Sequence, residues 1–379
     1  MSSNVRAPSG PDGRAATLLA HYERAGYRRI EPAILQPAEP FLDLSGEDMR
    51  RRMYLTEVSG REFCLRPDLT IPVSRDYLAS PLAGQVAGLC YLGPVFRHQE
   101  SEPGEILQAG IESFGRRDTA AADAEMLAQG LEATAHYGLR SPEIRMGDVG
   151  LFAALVDALE LAPAWRRRLI KDFNRAGSLE HDLDRLGVRA EPRPGDYQGL
   201  LAALAGSDFK AAHALVTDLL SIAGLTTVGG RSVDEIAERF LEQSALGIRA
   251  RLPNNAKQVI KGFLAIAGNP DTAVAEIRAL AQNAGIVLDA ALDLFESRTG
   301  FLAAHDLDVG RIAFSTAFGR GVDYYTGFVF ELYDKTAPQA LVAGGRYDGL
   351  LMRLGSPQPI PAVGFAVFID RLCALGGEP

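Results

Sequence analysis

The hydrophobic positions near the start of the chain follow first a helical and then a strand-like spacing. Residues 14–25 carry apolar side chains three and four apart, which predicts an amphipathic helix ending at Gly26. Residues 27–35 predict a strand, and Pro32 restricts it to a sheet edge or an interface because proline has no N–H to donate to a neighbouring strand. Residues 1–13 are rich in Pro, Gly and Ser, so we expect a disordered tail there.

Further along, short apolar runs bounded by turn residues predict antiparallel strands followed by a helix. The predicted strands are residues 53–58, 61–65, 86–96 and 106–114, and the predicted helix is residues 118–138. Ser59-Gly60 separates the first two strands and favours a two-residue hairpin turn. Side chains alternate in the fourth strand, so Gln108 and Glu112 are expected on one face of the sheet.

After about residue 150 the pattern becomes helical, and strands return near the C-terminus. The predicted late strands are residues 311–317, 327–333, 339–343 and 362–368. Strands that are interrupted by helices indicate one sheet domain with an inserted helical domain. We therefore expect an α+β protein with a core formed by residues 14–150 and 306–379, and a mainly helical insertion at residues 151–305.

Composition limits the classes of function that fit this chain. It has 379 residues, of which 47% are hydrophobic and 23% charged, as in ordinary globular proteins, and no run approaches the ~20 apolar residues of a membrane span. The net charge of −9 disfavours binding to a nucleic-acid backbone, which requires a basic face. Cys64, Cys90 and Cys373 lack the spacing of zinc or disulfide sites, so we expect reduced thiols in a cytoplasmic protein without metal or cofactor.

Polar residues are embedded in four otherwise apolar segments near the predicted strand ends. These segments are residues 65–70, 96–112, 318–325 and 342–350. Together they supply the groups that bind a small zwitterion. Asp68, Thr70 and Gln108 can accept hydrogen bonds from an ammonium group. Arg97 or Arg320 can pair with a carboxylate in bidentate geometry.

The same segments also offer groups for a polar ring. Such a ring can pack on Tyr324 or Tyr325 and form a hydrogen bond with Glu112. For any one of these residues, an internal structural pair is an equally good explanation. Their recurrence in four segments favours a binding site.

The four segments resemble the catalytic core of histidyl-tRNA synthetase, a class II aminoacyl-tRNA synthetase. GYRRIEP (residues 26–32) is similar to class II motif 1, FRHQESEPGEILQAGIESFG (96–115) to motif 2 and GFAVFIDRL (364–372) to motif 3. FGRGVDYY (318–325) and VAGGRYDGL (342–350) are similar to the two histidine-specific signatures, which are more specific than the three motifs. The resemblance covers about residues 14–150 and 306–375, and it implies a class II synthetase-like antiparallel sheet flanked by helices.

The resemblance also implies that the histidine pocket of the family is present. The residues implied to bind histidine are Asp68, Thr70, Arg97, Gln108, Glu112, Arg320, Tyr324 and Tyr325. Asp68 replaces the Glu that is usual after LRP in the family. Glu112 is implied to accept a hydrogen bond from the imidazole, which would exclude ligands that lack a matching donor.

Three departures from the synthetase pattern affect the binding of ATP and tRNA, and none of them affects the residues implied to bind histidine. The motif 2 loop holds Glu100, Glu102 and Glu105, whose charges would repel a triphosphate. Phe368 stands where motif 3 normally has a glycine two residues before its acid, and we expect its ring to fill the space that an adenine needs. The chain ends shortly after Arg371, so we expect no C-terminal anticodon-binding domain and no binding of tRNA.

A histidine pocket beside an altered nucleotide site resembles the regulatory subunits of ATP phosphoribosyltransferase, which are paralogues of the synthetase. That resemblance implies a non-catalytic partner of the short-form ATP phosphoribosyltransferase catalytic subunit, needed for the first step of histidine biosynthesis. It implies that the chain binds histidine and transmits feedback inhibition. The alternatives are a truncated synthetase-like enzyme that still forms histidyl-adenylate, and a scaffold with an inactive pocket.

The resemblance has two further structural consequences. A class II core implies a homodimer that forms through the Pro32 region, here within a hetero-oligomer. A sensor must also have parts that move when histidine binds. We expect these parts to be the loop between Arg97 and Gln108 and the glycine-rich turn at Gly344-Gly345.

Overall fold

The structure is a computed structural model that describes residues 13–44, 47–99, 104–173, 252–319 and 324–375, and the single residues Leu179, Leu183, Ala214, Thr217 and Asp218. The chain divides into two compact units, one formed by Met1–Ala154 with Gly262–Pro379 and the other by Leu155–Lys261. The second boundary therefore lies at residue 262 and not at the expected residue 306. The reason is that a strand and two helices between residues 262 and 305 complete the sheet domain.

Twelve strands are present in the described chain. They are β1 (Arg28–Arg29), β2 (Leu35–Pro37), β3 (Leu55–Val58), β4 (Arg61–Leu65), β5 (Ala87–Phe96), β6 (Glu105–Phe114), β7 (Glu143–Asp148), β8 (Ala267–Gly268), β9 (Ile312–Ser315), β10 (Phe328–Tyr333), β11 (Val342–Arg346) and β12 (Ala362–Phe368). Nine form one sheet in the order β1-β5-β6-β12-β11-β10-β7-β9-β8, and three form a small sheet in the order β2-β4-β3. The large sheet is antiparallel except for β1 with β5 and β7 with β9.

The helices of the described chain are as follows: α1 (Gly13–Arg24), α2 (Glu39–Leu44), α3 (Glu47–Arg51), α4 (Thr70–Ala79), α5 (Thr119–His136), α6 (Val149–Ala158), α7 (Pro163–Phe173), α8 (Asn254–Leu264), α9 (Pro270–Ala284), α10 (Asp289–Ala304), α11 (Leu350–Arg353) and α12 (Ile369–Leu375). Helix α5 packs on β10, β11 and β12 and contacts α1 and α10. These helices cover one face of the large sheet, and the hydrophobic core lies between them and the strands. None of the described helices combines the length and the apolar character of a membrane span.

Much of the predicted secondary structure is confirmed. The hairpin of β3 and β4 turns at Ser59 and Gly60, whose φ angles of 53° and 74° fit a two-residue turn with positive φ at both positions. Strands β5 and β6 pair antiparallel over their whole length, and β12 spans the predicted residues. Helix α1 ends before Gly26, which has a φ of 98°.

The predicted strand at residues 27–35 is wrong in extent. Only Arg28 and Arg29 pair with the sheet, at its edge, and Leu35 begins a strand of the small sheet instead. Residues 30–34 lie outside any strand. Pro32 contributes to this break because it cannot donate a ladder hydrogen bond.

The glycine-rich segment near residue 344 is a buried strand and not the turn that we expected. Strand β11 begins at Val342, so the strand predicted at residues 339–343 is displaced. A Cβ on Gly344 would lie 2.5 Å from the carbonyl oxygen of Gly364, and one on Gly345 would lie 2.6 Å from that of Phe328. The two glycines therefore allow close packing inside the sheet.

Candidate ligand-binding site

Glu112 is a fully buried carboxylate held by three hydroxyl groups. Its Oε1 accepts hydrogen bonds from the hydroxyls of Thr70 at 2.8 Å and Tyr91 at 3.5 Å, and its Oε2 accepts one from the hydroxyl of Tyr347. The three donors come from the start of α4, from β5 and from the residue after β11. The fold thus brings four distant parts of the chain together around one carboxylate.

Gly364 makes room for this carboxylate. It lies opposite Glu112 in the register of β6 and β12. A Cβ at Gly364 would lie 1.7 Å from Glu112 Oε2 and 2.5 Å from the carbonyl oxygen of Ile111. Any side chain at this position would therefore displace Glu112.

The environment of Glu112 favours its protonated form. Burial raises the pKa of Glu112 to about 8, and the nearby carboxyl of Asp68 contributes to the rise. The hydroxyls of Tyr347, Thr70 and Tyr91 act in the opposite direction, because they stabilise the carboxylate by hydrogen bonding. The site therefore holds a carboxyl group that can change its charge near neutral pH.

Asp68 lies beside this cluster and also holds the first turn of α4. Its Oδ1 accepts a hydrogen bond from the N–H of Ile71 at 3.0 Å. Burial raises the pKa of Asp68, against the effect of the N–H groups of α4 and of the charge on Arg97. Arg97 donates from Nε to the carbonyl oxygen of Pro67 at 2.7 Å. Asp68 and Arg97 are therefore neighbours at the edge of the cluster.

The two adjacent tyrosines predicted as ring-packing residues are part of the same group. Tyr324 and Tyr325 are buried, and their ring centroids are 5.1 Å apart. Tyr324 also packs edge-on against Tyr347 at 5.9 Å and shares a hydrogen bond with Thr70. Arg320, which was predicted to bind the ligand carboxylate, lies outside the described residues.

Gln108 is on the same face of β6 as Glu112, as the alternation predicted. Its side chain is almost fully buried between Gly93 of β5 and Phe368 of β12. Its Nε2 has no hydrogen-bond partner among the residues that the structure describes. An unpaired buried amide nitrogen is costly, so this atom indicates a place where a ligand or a water molecule binds.

The acid and arginine of the terminal helix are engaged within the protein. Asp370 Oδ2 accepts a hydrogen bond from the N–H of Leu107 at 2.9 Å, and Arg371 donates to the carbonyl oxygen of Ala340. The guanidinium of Arg371 also lies 4.0 Å from the ring centroid of Phe368. Phe368 shares its sheet face with Gln108, so its ring is on the side of the candidate site.

The sequence did not identify Tyr91 and Tyr347 as site residues. The hairpin register contained a signal for Tyr91, since it lies opposite Gly110 and therefore on the face of Glu112. Tyr347 stood in one of the four polar segments, but its contact with Glu112 joins residues 235 positions apart.

A buried ionic network on the helix-covered face was also not predicted. Arg298 donates to Asp123 at 2.8 Å and to Asp148 at 2.7 Å. Arg346 donates to the other oxygen of Asp123 at 2.7 Å and to Asp348 at 2.8 Å. Each charge therefore has an opposite partner, which offsets the cost of burial.

Comparison with known proteins places this arrangement in a family. Residues 13–220 and 213–372 match the family model described as Histidyl-tRNA synthetase. The ATP phosphoribosyltransferase regulatory subunit of Mesorhizobium japonicum is 42% identical over 367 residues, which cover 95% of this chain and 96% of that protein. The protein of the same description from Brucella canis is 40% identical over 355 residues, which cover 92% and 93%.

Two solved structures have the same fold. An ATP phosphoribosyltransferase regulatory subunit/histidyl-tRNA synthetase from Bacillus halodurans aligns with a TM-score of 0.66 and 22% identity, over 100% of this chain and 85% of that chain. A histidine–tRNA ligase subunit from Alicyclobacillus acidocaldarius aligns with a TM-score of 0.58 and 24% identity, over 99% and 98%. The expected class II synthetase-like fold is thereby confirmed.

Proposed function

The chain belongs to the histidyl-tRNA synthetase-like family of ATP phosphoribosyltransferase regulatory subunits, and we propose that it binds histidine at the Glu112 site to regulate that enzyme. In this role it partners a catalytic ATP phosphoribosyltransferase subunit in the first step of histidine biosynthesis. The transfer of phosphoribose takes place on the partner. Histidine controls it by binding one conformation of the complex more tightly than another.

The observation that carries this proposal is the buried cluster of Glu112 and its hydroxyls beside the unpaired amide of Gln108. Histidine has three polar parts that match this group. Its imidazole fits among Glu112, Tyr324 and Tyr325, where aromatic rings and a polar group lie together. Its ammonium and carboxylate groups suit the region of Gln108, Asp68 and Arg97.

We propose further that the chain does not catalyse adenylate formation or bind tRNA. The ring of Phe368 lies on the face of the candidate site, and Arg371 packs on it and binds Ala340. Asp370 binds the backbone of β6. The groups that resemble the nucleotide-binding motif therefore have internal partners in place of a nucleotide.

The region around Pro32 is the proposed homodimer interface. Leu35 and Val58 are exposed and lie on the same face of the small sheet. Arg66 binds the carbonyl oxygen of Pro32 and that of Pro94, so it fixes this region to β5. Exposed apolar side chains beside a segment that is fixed in this way favour the association of two copies of the chain through an isologous contact.

The function is tested by reconstitution with a short-form catalytic subunit. We expect activity of that subunit to depend on this chain and to be inhibited by L-histidine. Glu112→Ala should weaken the inhibition, because it removes the buried polar group that meets the imidazole. Tyr77→Phe is the matched control, because the Tyr77 hydroxyl binds the carbonyl oxygen of Gln85 away from the site. Activity that neither requires the chain nor responds to histidine would contradict the proposal.

A pyrophosphate-exchange assay addresses the alternative of an adenylate-forming enzyme. We expect no exchange between ATP and pyrophosphate in the presence of histidine, because Phe368 and Arg371 occupy the region beside Gln108. Robust exchange by the wild-type chain would show that adenylate formation is retained. Binding of histidine in calorimetry without exchange would support a regulatory site and exclude an inactive pocket.

A further inference from the structure

An open groove lies between the first turn of α9, the second half of α10 and the 3-10 helix Val309–Arg311. Its volume is about 600 Å³, and none of its lining residues belongs to the group around Glu112. The apolar side chains of Val274, Phe295 and Leu307 form part of its wall, and Phe295 is almost fully buried. The groove is therefore large enough to receive several side chains of another protein.

Large apolar side chains are exposed beside the groove. On α10, Leu294 is 38% exposed and Phe301 is 43% exposed, and two helical turns separate them, so they lie on one side of the helix. Gly300, which precedes Phe301, lines the groove, and a Cβ there would meet no atom within 4 Å. Exposed apolar side chains next to an open groove are typical of a surface that binds another protein.

The rim of the groove is acidic. It carries Asp271, Glu296 and Asp308, and none of the described residues that line the groove is basic. Arg278 binds Glu296 at 3.1 Å from outside the lining, whereas Asp308 accepts a hydrogen bond from the N–H of Gly310 at 3.1 Å. The charges on Asp271 and Asp308 therefore favour a binding partner with basic side chains.

The buried side of α10 is connected to the candidate ligand-binding site. Arg298 binds Asp123 at 2.8 Å, and Asp123 binds Arg346 at 2.7 Å. Arg346 is followed by Tyr347, whose hydroxyl binds Glu112. A protein that binds the exposed side of α10 is thus linked to the site through side chains that contact one another in turn, which is the kind of network that couples two sites.

We propose that this groove is the docking site of the catalytic ATP phosphoribosyltransferase subunit, which binds it through a segment with both apolar and basic side chains. An apolar side chain fills the space at Phe295 and Gly300, and a lysine or arginine binds Asp271 and Asp308 at the rim. The inference rests on the proposed function and deepens it by assigning the surface that the partner binds.

A second copy of this chain is a poorer occupant of the groove. An isologous contact would place the groove against itself across a two-fold axis, so the carboxylates of the two rims would face each other. Like charges at short distance repel, and the chain has a net charge of −9. The exposed apolar residues of the small sheet remain the proposed surface for the homodimer.

Gly300→Met tests the inference by filling the groove. We expect the affinity of the full chain for the short-form catalytic subunit, measured by surface plasmon resonance, to fall by about 10-fold or more. Ala279→Met adds the same side chain to an exposed position of α9 outside the groove and should leave the affinity unchanged. Urea unfolding checks that both variants are folded. Gly300→Met should be no less stable than the wild type, because methionine favours a helix more than glycine does.

Asp271→Asn tests the charge at the rim. We expect association with the catalytic subunit to slow by about 3-fold and to depend less on salt, because a rim charge acts mainly on the association rate. Glu276→Gln is the matched control, since Glu276 is exposed on the same helix but does not line the groove. Association rates that are equal in the wild type and Asp271→Asn at every salt concentration would contradict a basic contact at the rim.

A photo-crosslinker identifies the occupant directly. The crosslinker p-benzoylphenylalanine in place of Phe301 should react with the catalytic subunit, in a peptide with basic and apolar residues. The same group in place of Val86, which is 68% exposed between α4 and β5, should not react with it. A crosslink from position 301 to a second copy of this chain would overturn the inference.

The inference and the proposed function fail in different ways. Equal affinity of the wild type and Gly300→Met for the catalytic subunit would contradict the docking site and leave the regulatory role intact. A wild-type chain that does not bind the catalytic subunit would contradict both. Weaker binding by Gly300→Met, with histidine affinity the same as in the wild type, would support the docking site.

Discussion

Arg346 and Tyr347 are consecutive residues whose side chains bind carboxylates on opposite faces of the large sheet. Arg346 binds Asp123 of the helix α5, which covers one face. Tyr347 binds Glu112 on the other face, where the candidate ligand site lies. The ionic network on the helix-covered face therefore fixes the backbone at Arg346, and this backbone positions the hydroxyl of Tyr347 in the candidate site.

Replacement of Arg346 by methionine should damage both faces of the sheet. It leaves Asp123 and Asp348 without the guanidinium that they share, so we expect a loss of about 3–5 kcal/mol in the free energy of unfolding. Histidine affinity should fall as well, because Tyr347 is no longer held in place. Urea unfolding and calorimetric titration measure the two effects. Unchanged histidine affinity in a folded Arg346→Met variant would show that the ionic network does not position Tyr347 for binding.

Arg298 should be far more important for stability than an exposed arginine. Arg298→Met removes the guanidinium that binds two buried carboxylates, Asp123 and Asp148. We expect the free energy of unfolding to fall by about 3–5 kcal/mol. Arg278→Met is the matched control, since Arg278 pairs with Glu296 at the surface, and we expect a change below about 1 kcal/mol. Urea unfolding of both variants gives the comparison. Similar losses would mean that the buried network contributes little.

The stability of the protein should depend on pH through Glu112. The folded state holds a proton on this group up to a pKa of about 8, whereas an unfolded glutamate releases it near pH ~4.3. Between these values the folded state binds more protons, so the free energy of unfolding falls as pH rises. Glu112→Gln removes this dependence. Its stability relative to the wild type should increase by on the order of 4 kcal/mol from pH ~5 to pH ~9.

Urea unfolding of the wild type and Glu112→Gln at several pH values provides that measurement. The difference between the two proteins is the quantity of interest, because other groups titrate in both. A difference that stays constant over this pH range would show that Glu112 ionises in the folded protein as it does in the unfolded chain.

Gly364→Ala should disrupt the site through a single methyl group. The added Cβ would lie 1.7 Å from Glu112 Oε2, so the carboxylate must move from its hydroxyl partners. We expect loss of histidine binding and destabilisation of about 2 kcal/mol or more. Gly300→Ala in α10 is the control, because a Cβ there meets nothing within 4 Å and alanine favours a helix. That variant should bind histidine normally.

The sequence was sufficient where local physics decides the structure. Short apolar runs predicted β5, β6 and β12, and Ser59-Gly60 predicted the hairpin turn, where both residues have positive φ angles. Two-residue alternation in β6 placed Gln108 and Glu112 on one face. The resemblance to the family predicted Thr70, Tyr324 and Tyr325 as site residues. In the fold, Thr70 binds Glu112, and Tyr324 packs against Tyr325 and Tyr347.

Other parts depended on contacts that local patterns do not contain. Gly344 and Gly345 suggested a turn because glycine is common in turns, but the fold uses them for close packing in a central strand. Asp68 suggested a free acceptor, but its position before α4 engages it with the N–H of Ile71.

The sequence by itself determined the strands, the main hairpin, the faces of β6 and the identity of the family. Only the tertiary structure decided which groups meet Glu112 and which charges balance each other. Tyr347 lies 235 residues from Glu112 along the chain, and Arg298 lies 175 residues from Asp123. Spacing along a strand or helix specifies neighbours within a few residues, whereas hydrogen bonds over such separations exist only after the strands have paired and the helices have packed.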